Sequence, residues 1–124
     1  MAESEHHATW FHGSPFHLTM LYPGNTVTPD RHLATVFSHR PTIVSIEDDG
    51  QIKHNGSIEG FLYWISEPLQ PGDLIPHPHS TMPGREWVAQ RALQLTLIGE
   101  TEIIDDEMLT IIEIEELQKR AKAA

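Results

Sequence analysis

The chain has 124 residues and no cysteine, and its 8 Lys plus Arg against 18 Asp plus Glu give a formal charge of −10 with neutral histidines. That length suits one domain with its own core, and the missing thiols exclude disulfides, thiolate zinc sites, iron–sulfur clusters and cysteine nucleophiles. Such an acidic chain lacks the clustered Lys and Arg that release counterions, so neither nucleic acid nor an anionic membrane is expected as a partner.

Residues 1–9 are polar and without period, a lead-in to a single domain spanning 10–124 that starts at Trp10-Phe11. The stretch up to Pro29 is rich in Gly, Pro, Asn and Thr, which favours loops around short extended pieces. Thr28-Pro29-Asp30-Arg31 reads as a helix start, with Thr28 as N-cap and Pro29 in the first helical position. The helix is expected from about Pro29 to Ser38, burying Leu33, Val36 and Phe37 and stopped by Pro41.

Thr42–Glu47 alternates β-branched residues, and Asp48-Asp49-Gly50 followed by Gln51–His54 predicts a hairpin. Gly60–Ser66 is the most apolar stretch and predicts a central strand buried on both faces, Trp64 included. Gln70–Gly84 is dense in Pro and Gly and reads as one ordered loop or lid. Trp87–Ile98 predicts a strand with Leu93, Leu95 and Leu97 on one face, ended by Gly99. From Asp105 the composition turns to Glu, Leu, Lys and Ala. Met108, Ile111, Ile112 and Leu117 then fall at helical spacing, with the basic residues toward the favourable dipole end. The element order predicts an α+β domain on a mainly antiparallel sheet, with a short helix after the first loop and a C-terminal helix. No apolar run approaches the roughly 20 residues of a membrane span, and the start MAESEHHATW lacks a signal-peptide pattern, which points to the cytoplasm.

His12-Gly13-Ser14-Pro15 sets an imidazole, a flexible backbone and a hydroxyl together, as a ligand site needs; the same four residues also make an ordinary turn after a strand. Of the nine histidines, His6-His7 and His77-Pro78-His79 are the close pairs. A zinc site on the second would need a third ligand such as Asp73 or Glu86, and no motif spacing supplies one. No metal is therefore expected, and exposed loop histidines are the simpler reading. Asp73 and Glu86 are the carboxylates nearest the Pro-rich loop and could grip a sugar hydroxyl, although a solvated surface suits either.

In order, Phe11-His12-Gly13-Ser14-Pro15, Leu21-Tyr22-Pro23-Gly24 and Thr28-Pro29-Asp30-Arg31 with Ala34 and Phe37 resemble the opening of small ADP-ribosyltransferase-like proteins, the rifamycin ADP-ribosyltransferase branch above all. Leu62–Pro68, the Pro-rich loop and Arg85-Glu86-Trp87-Val88 extend the likeness over about residues 10–104. The resemblance implies a split, mainly antiparallel β fold clasping NAD as a substrate, from which nicotinamide leaves through an oxocarbenium-like centre captured by a small-molecule or protein acceptor. It implies NAD contacts from His12, Gly13 and Ser14, with Tyr22 the nearest ring, and a catalytic carboxylate at Asp73 or Glu86. The family commonly sets an aromatic residue before the TPD-type helix to stack on nicotinamide, where this chain reads Asn25-Thr26-Val27. A catalytically inactive relative that binds a small molecule or protein is the alternative expectation.

Overall fold

The computed structural model describes residues 8–80, 82 and 84–123, so His6-His7 and most of the lead-in lie outside the described residues. The described chain is α+β and mainly antiparallel. In order it forms β1 (Phe11–Ser14), β2 (Met20–Leu21), β3 (Thr26–Val27), α1 (Arg31–Phe37), β4 (Val44–Ile46) and β5 (Ile52–His54). After these come β6 (Gly60–Ile65), β7 (Leu74–Pro76), β8 (Trp87–Ala89), β9 (Leu93–Thr101) and α2 (Ile111–Ala123). One sheet has the order β1-β6-β9-β2, a second β3-β8-β7, and β4-β5 is a separate hairpin. The first two sheets meet where Phe11 and Thr28 exchange backbone hydrogen bonds of 2.8 and 3.0 Å. Leu21, Tyr63, Ile65, Leu93 and Leu95 of one sheet and Val27 and Ala89 of the other form a common core. Among the described residues no helix is long and apolar enough to cross a membrane.

Backbone pairing moves the first helix forward from its expected start. Thr28 is held in the bridge to Phe11, so it stays extended, and its hydroxyl accepts from Asp30 N at 3.1 Å. Asp30 is the cap: its Oδ1 accepts from His32 N and Leu33 N at 3.0 and 3.1 Å, satisfying two free donors of the first turn. The helix ends at Phe37, before Pro41. Leu33 and Val36 are buried with Ile52 in a second cluster, flanked by Phe37, Val44 and Ile46. Asp30→Ala is expected to cost about 1 kcal/mol in urea unfolding; an unchanged midpoint would remove the cap from the account.

The hairpin forms as the sequence predicts. Glu47 N donates to Gln51 O at 2.8 Å, Asp49 Oδ1 accepts from Gln51 N at 2.9 Å, and Gly50 supplies a φ of +87°. Strand β6 is central, between β1 and β9, but the alternation that turns Tyr63 and Ile65 into the core turns Trp64 the other way. Trp64 lies opposite Phe11 and Thr96 and is 39% exposed, so it is not a core residue.

The span Trp87–Ile98 is two strands, β8 and β9, and β9 runs through Gly99 to Thr101. The register shifts between Leu62, opposite Gly99, and Tyr63, opposite Leu97, so Ile98 is the extra residue of a bulge. Gly99 marks that irregularity rather than the strand's end, and Leu97 beside it is exposed. The Pro-rich loop holds the short strand β7, whose Leu74–Pro76 pairs with Trp87–Ala89.

The C-terminal helix starts later than its apolar spacing suggests. Asp105–Glu107 is a single 3-10 turn, and Met108 and Leu109 run extended beside His54, Leu109 N donating to His54 O at 2.9 Å. Thr110 and Glu113 then bond reciprocally, Glu113 N to Thr110 Oγ1 at 3.1 Å and Thr110 N to Glu113 Oε1 at 3.0 Å, which is a capping box. Of the residues at helical spacing Ile111 and Ile112 are exposed, while Met108 and Leu117 are half-buried.

Candidate functional site

Strand β1 presents its residues alternately, and His12 points to the face shared with its cross-strand partner Tyr63, toward the core between the sheets. Its Nδ1 lies 2.6 Å from Thr26 O. A carbonyl oxygen only accepts, so Nδ1 carries the proton and donates. Burial pushes the imidazole below its ordinary range, against a smaller opposing effect of that hydrogen bond. A neutral ring with its proton on Nδ1 keeps the Nε2 lone pair as an acceptor, and Nε2 has no hydrogen-bond partner among the described residues.

Two residues back on the same face stands Trp10, whose carbonyl accepts from Ile65 N at 3.0 Å and so prolongs the β1–β6 ladder. Its ring meets Trp87 edge to face, with centroids 5.3 Å apart and planes at 71°. Beside this pair opens a pocket of about 340 Å³, within the range of small-molecule sites. Trp10, Trp87 and Pro29 line it on one side and the segment Leu69–Leu74, without Asp73, on the other. Among the described residues no charged side chain lines it. The i to i+2 spacing of an extended strand places Trp10 roughly 7 Å from His12 along β1.

None of the six candidates, His12, Gly13, Ser14, Tyr22, Asp73 and Glu86, is itself part of the pocket lining. Gly13 faces the opposite side of β1, where a Cβ would lie 1.9 Å from Ala34 O, so packing of α1 already requires glycine there. The buried Ser14 accepts from Phe16 N at 3.1 Å and shapes the turn that follows. Tyr22 is 60% exposed in the turn closed by Asn25 N to Tyr22 O, and it does not line the pocket. The two carboxylates differ in kind. Asp73 is buried and takes both ends of a fork from Arg91, Nε to Oδ1 and Nη2 to Oδ2, each at 2.9 Å. That pairing with Arg91 holds its carboxyl below the usual range. Glu86 is half-buried; Gly84 and Trp87, on either side of it in sequence, line the pocket, whereas Glu86 does not.

His77 and His79 have ring centroids 6.5 Å apart, and His77 Nδ1 accepts from His79 N at 3.0 Å, so the pair shapes its own loop. Among the described residues no group of three or more His, Asp or Glu side chains is placed to hold a metal ion. Sequence reasoning missed Trp10 as a pocket wall and Arg91 altogether. The signal for the wall was present in Gln70-Pro71-Gly72-Asp73, a Pro-Gly turn whose shape is predictable from those residues. No family model, curated protein or solved structure matches this chain.

Proposed function

We propose that the chain is an ADP-ribosyltransferase-like domain that binds NAD between its two main sheets, with the nicotinamide ring in the Trp10–Trp87 pocket. One observation carries this reading: Val27, where the family resemblance calls for a stacking ring, lies directly across the β3–β8 pair from Trp87. Directly opposed residues share a face of the sheet, so the partner strand supplies an aromatic ring where β3 has none. The pocket's apolar lining suits a flat ring, and an indole face favours the cationic pyridinium of NAD. The neutral His12, one step along the same face of β1, offers Nε2 as acceptor for a ribose hydroxyl.

In this reading NAD is a substrate. The bond from the ribose carbon to the nicotinamide nitrogen breaks, its electron pair stays on that nitrogen and neutralises the ring, and an acceptor nucleophile bonds the ribosyl carbon and loses a proton. The protein's part is orientation and stabilisation of the developing cation. Asp73 is already neutralised by Arg91, which leaves Glu86 as the carboxylate for that task. The sequestered Asp73 also favours a second reading, a binding module that holds the nucleotide without turning it over.

Titration of the protein with NAD, followed by tryptophan emission in a Trp64→Phe background, tests the binding. Saturable quenching is expected, with affinity lower by about tenfold in Trp87→Leu and in His12→Ala. Full NAD affinity in His12→Ala argues against the site. Release of free nicotinamide from the same samples separates the enzyme from the binding module, and Glu86→Gln is expected to abolish it.

A further inference from the structure

We infer that Asp73 and Arg91 form a positioning pair that holds one wall of the Trp10–Trp87 pocket in place, and that Asp73 does not itself meet the ligand. This rests on the pocket being the ligand site. Gln70-Pro71-Gly72-Asp73 is a tight turn: Asp73 N donates to Gln70 O at 3.0 Å, and Gly72 has a φ of +87°. That is the geometry a Pro-Gly pair favours in the middle of a type II turn. Five of the ten described residues lining the pocket belong to this turn or directly flank it: Leu69, Gln70, Pro71, Gly72 and Leu74.

Every polar group of Asp73 holds the turn. Oδ2 accepts from Gln70 N at 2.7 Å and closes it from within, while the main-chain carbonyl accepts from Gln90 N at 2.8 Å and ties it to the end of β8. The two carboxylate oxygens face the fork of Arg91. Arg91 is anchored in turn, its Nη1 donating to Ala92 O and to Glu67 Oε2, each at 3.1 Å. Glu67 Oε1 accepts from Gln94 N at 2.6 Å, at the start of β9. The chain of bonds thus runs from the rigid sheet through Glu67 and Arg91 to Asp73, and from there to the turn. Asp73 retains about a tenth of its side-chain exposure, and a bidentate guanidinium pair has a directionality that a lysine lacks. Both oxygens of Asp73 are engaged in holding the wall, and Asp73 does not line the pocket.

The test combines amide hydrogen exchange, acrylamide quenching and NAD titration on the whole chain, each in a Trp64→Phe background. Arg91→Gln is expected to speed exchange at Gln70, Asp73 and Gln90 by about tenfold while β6 and the centre of β9 keep their protection. Quenching of the remaining tryptophans then rises and NAD binds about tenfold more weakly. Arg91→Lys, which keeps the charge and loses the fork, falls between. Exchange that is unchanged, or that rises equally in β6 and β9, overturns the inference, the second outcome because it marks only global loss of stability. Asp73→Asn with unaltered NAD affinity but abolished nicotinamide release also overturns it, since Asp73 would then act on the substrate. If the starting protein binds no NAD yet Arg91→Gln loosens the wall selectively, the positioning pair stands and the NAD reading falls.

Discussion

Gly13→Ala is expected to destabilise the fold by about 3 kcal/mol or more, as a lower urea midpoint in the absence of any ligand. A Cβ at this position would lie 1.9 Å from Ala34 O, 2.8 Å from Ser38 N and 3.0 Å from Ala34 C. All three are backbone atoms of α1 or its C-terminal cap, so no side-chain rotation relieves the clash. Either the helix lifts off β1 or β1 leaves β6, where Gly13 pairs with Leu62. Lifting the helix withdraws Leu33 and Val36 from the second core. Gly99→Ala is the control, because nothing lies within 4 Å of its added Cβ, and it is expected to stay within about 0.5 kcal/mol. The family resemblance implies another purpose for Gly13, contact with NAD. A Gly13→Ala variant that keeps its stability and loses only NAD affinity would restore that purpose and remove the packing account.

Local chemistry was legible in the sequence wherever one short segment decides its own shape. Asp48-Asp49-Gly50 specifies the hairpin turn because Gly50 takes a positive φ and Asp49 caps Gln51 N. The helix after Thr28-Pro29-Asp30 forms, but its cap moves from Thr28 to Asp30 because a distant residue, Phe11, claims both backbone groups of Thr28. Tertiary pairing of that kind leaves no local trace. The same holds for Trp64, where an apolar run on a strand says nothing about which face a neighbouring element will cover. The site divides along the same line. His12 was legible as a polar residue beside a glycine and a hydroxyl. The pocket was not, because Trp10 and Trp87 lie far apart in the chain and are brought together by the bridge from Phe11 to Thr28, just past β3, and by the pairing of β3 with β8. Asp73 was legible as a carboxylate on a loop; its commitment to Arg91 depends on the β7–β8 pairing that the Pro-rich composition concealed.

A second large effect is expected from pH, centred on His54, which is fully buried at the end of β5. Its Nδ1 accepts from Gly56 N at 3.0 Å, so the neutral ring carries its proton on Nε2. That N–H has no hydrogen-bond partner among the described residues, the nearby Glu107 Oε1 standing 3.9 Å away. His39 stacks on the ring at 5.5 Å with its own Nδ1 donating to Ile58 O, and His32 holds the other oxygen of Glu107 at 2.7 Å. Burial first and His39 second push the His54 imidazole below its ordinary range, with Glu107 opposing and His32 adding slightly. Protonation would place a charge in the core and take away the acceptor of Gly56 N. The unfolded chain therefore binds this proton more readily than the folded one. The stabilising contribution is complete above about pH 6.5, the unfolded value, and is lost as pH falls below it toward the depressed folded value. His12, lowered mainly by burial, adds a loss of the same sign. Urea unfolding between pH 8 and pH 5 is expected to show stability falling on the acid side of pH 6.5, with a limiting slope of about 1.4 kcal/mol per pH unit for each proton. His54→Asn keeps an acceptor near Gly56 N and removes the titrating ring. It is expected to be about 2 kcal/mol less stable at pH 8, for the lost packing against His39, and to lose less on acidification, so that the two curves converge toward pH 5. Parallel curves would show that His54 takes no part in the acid sensitivity.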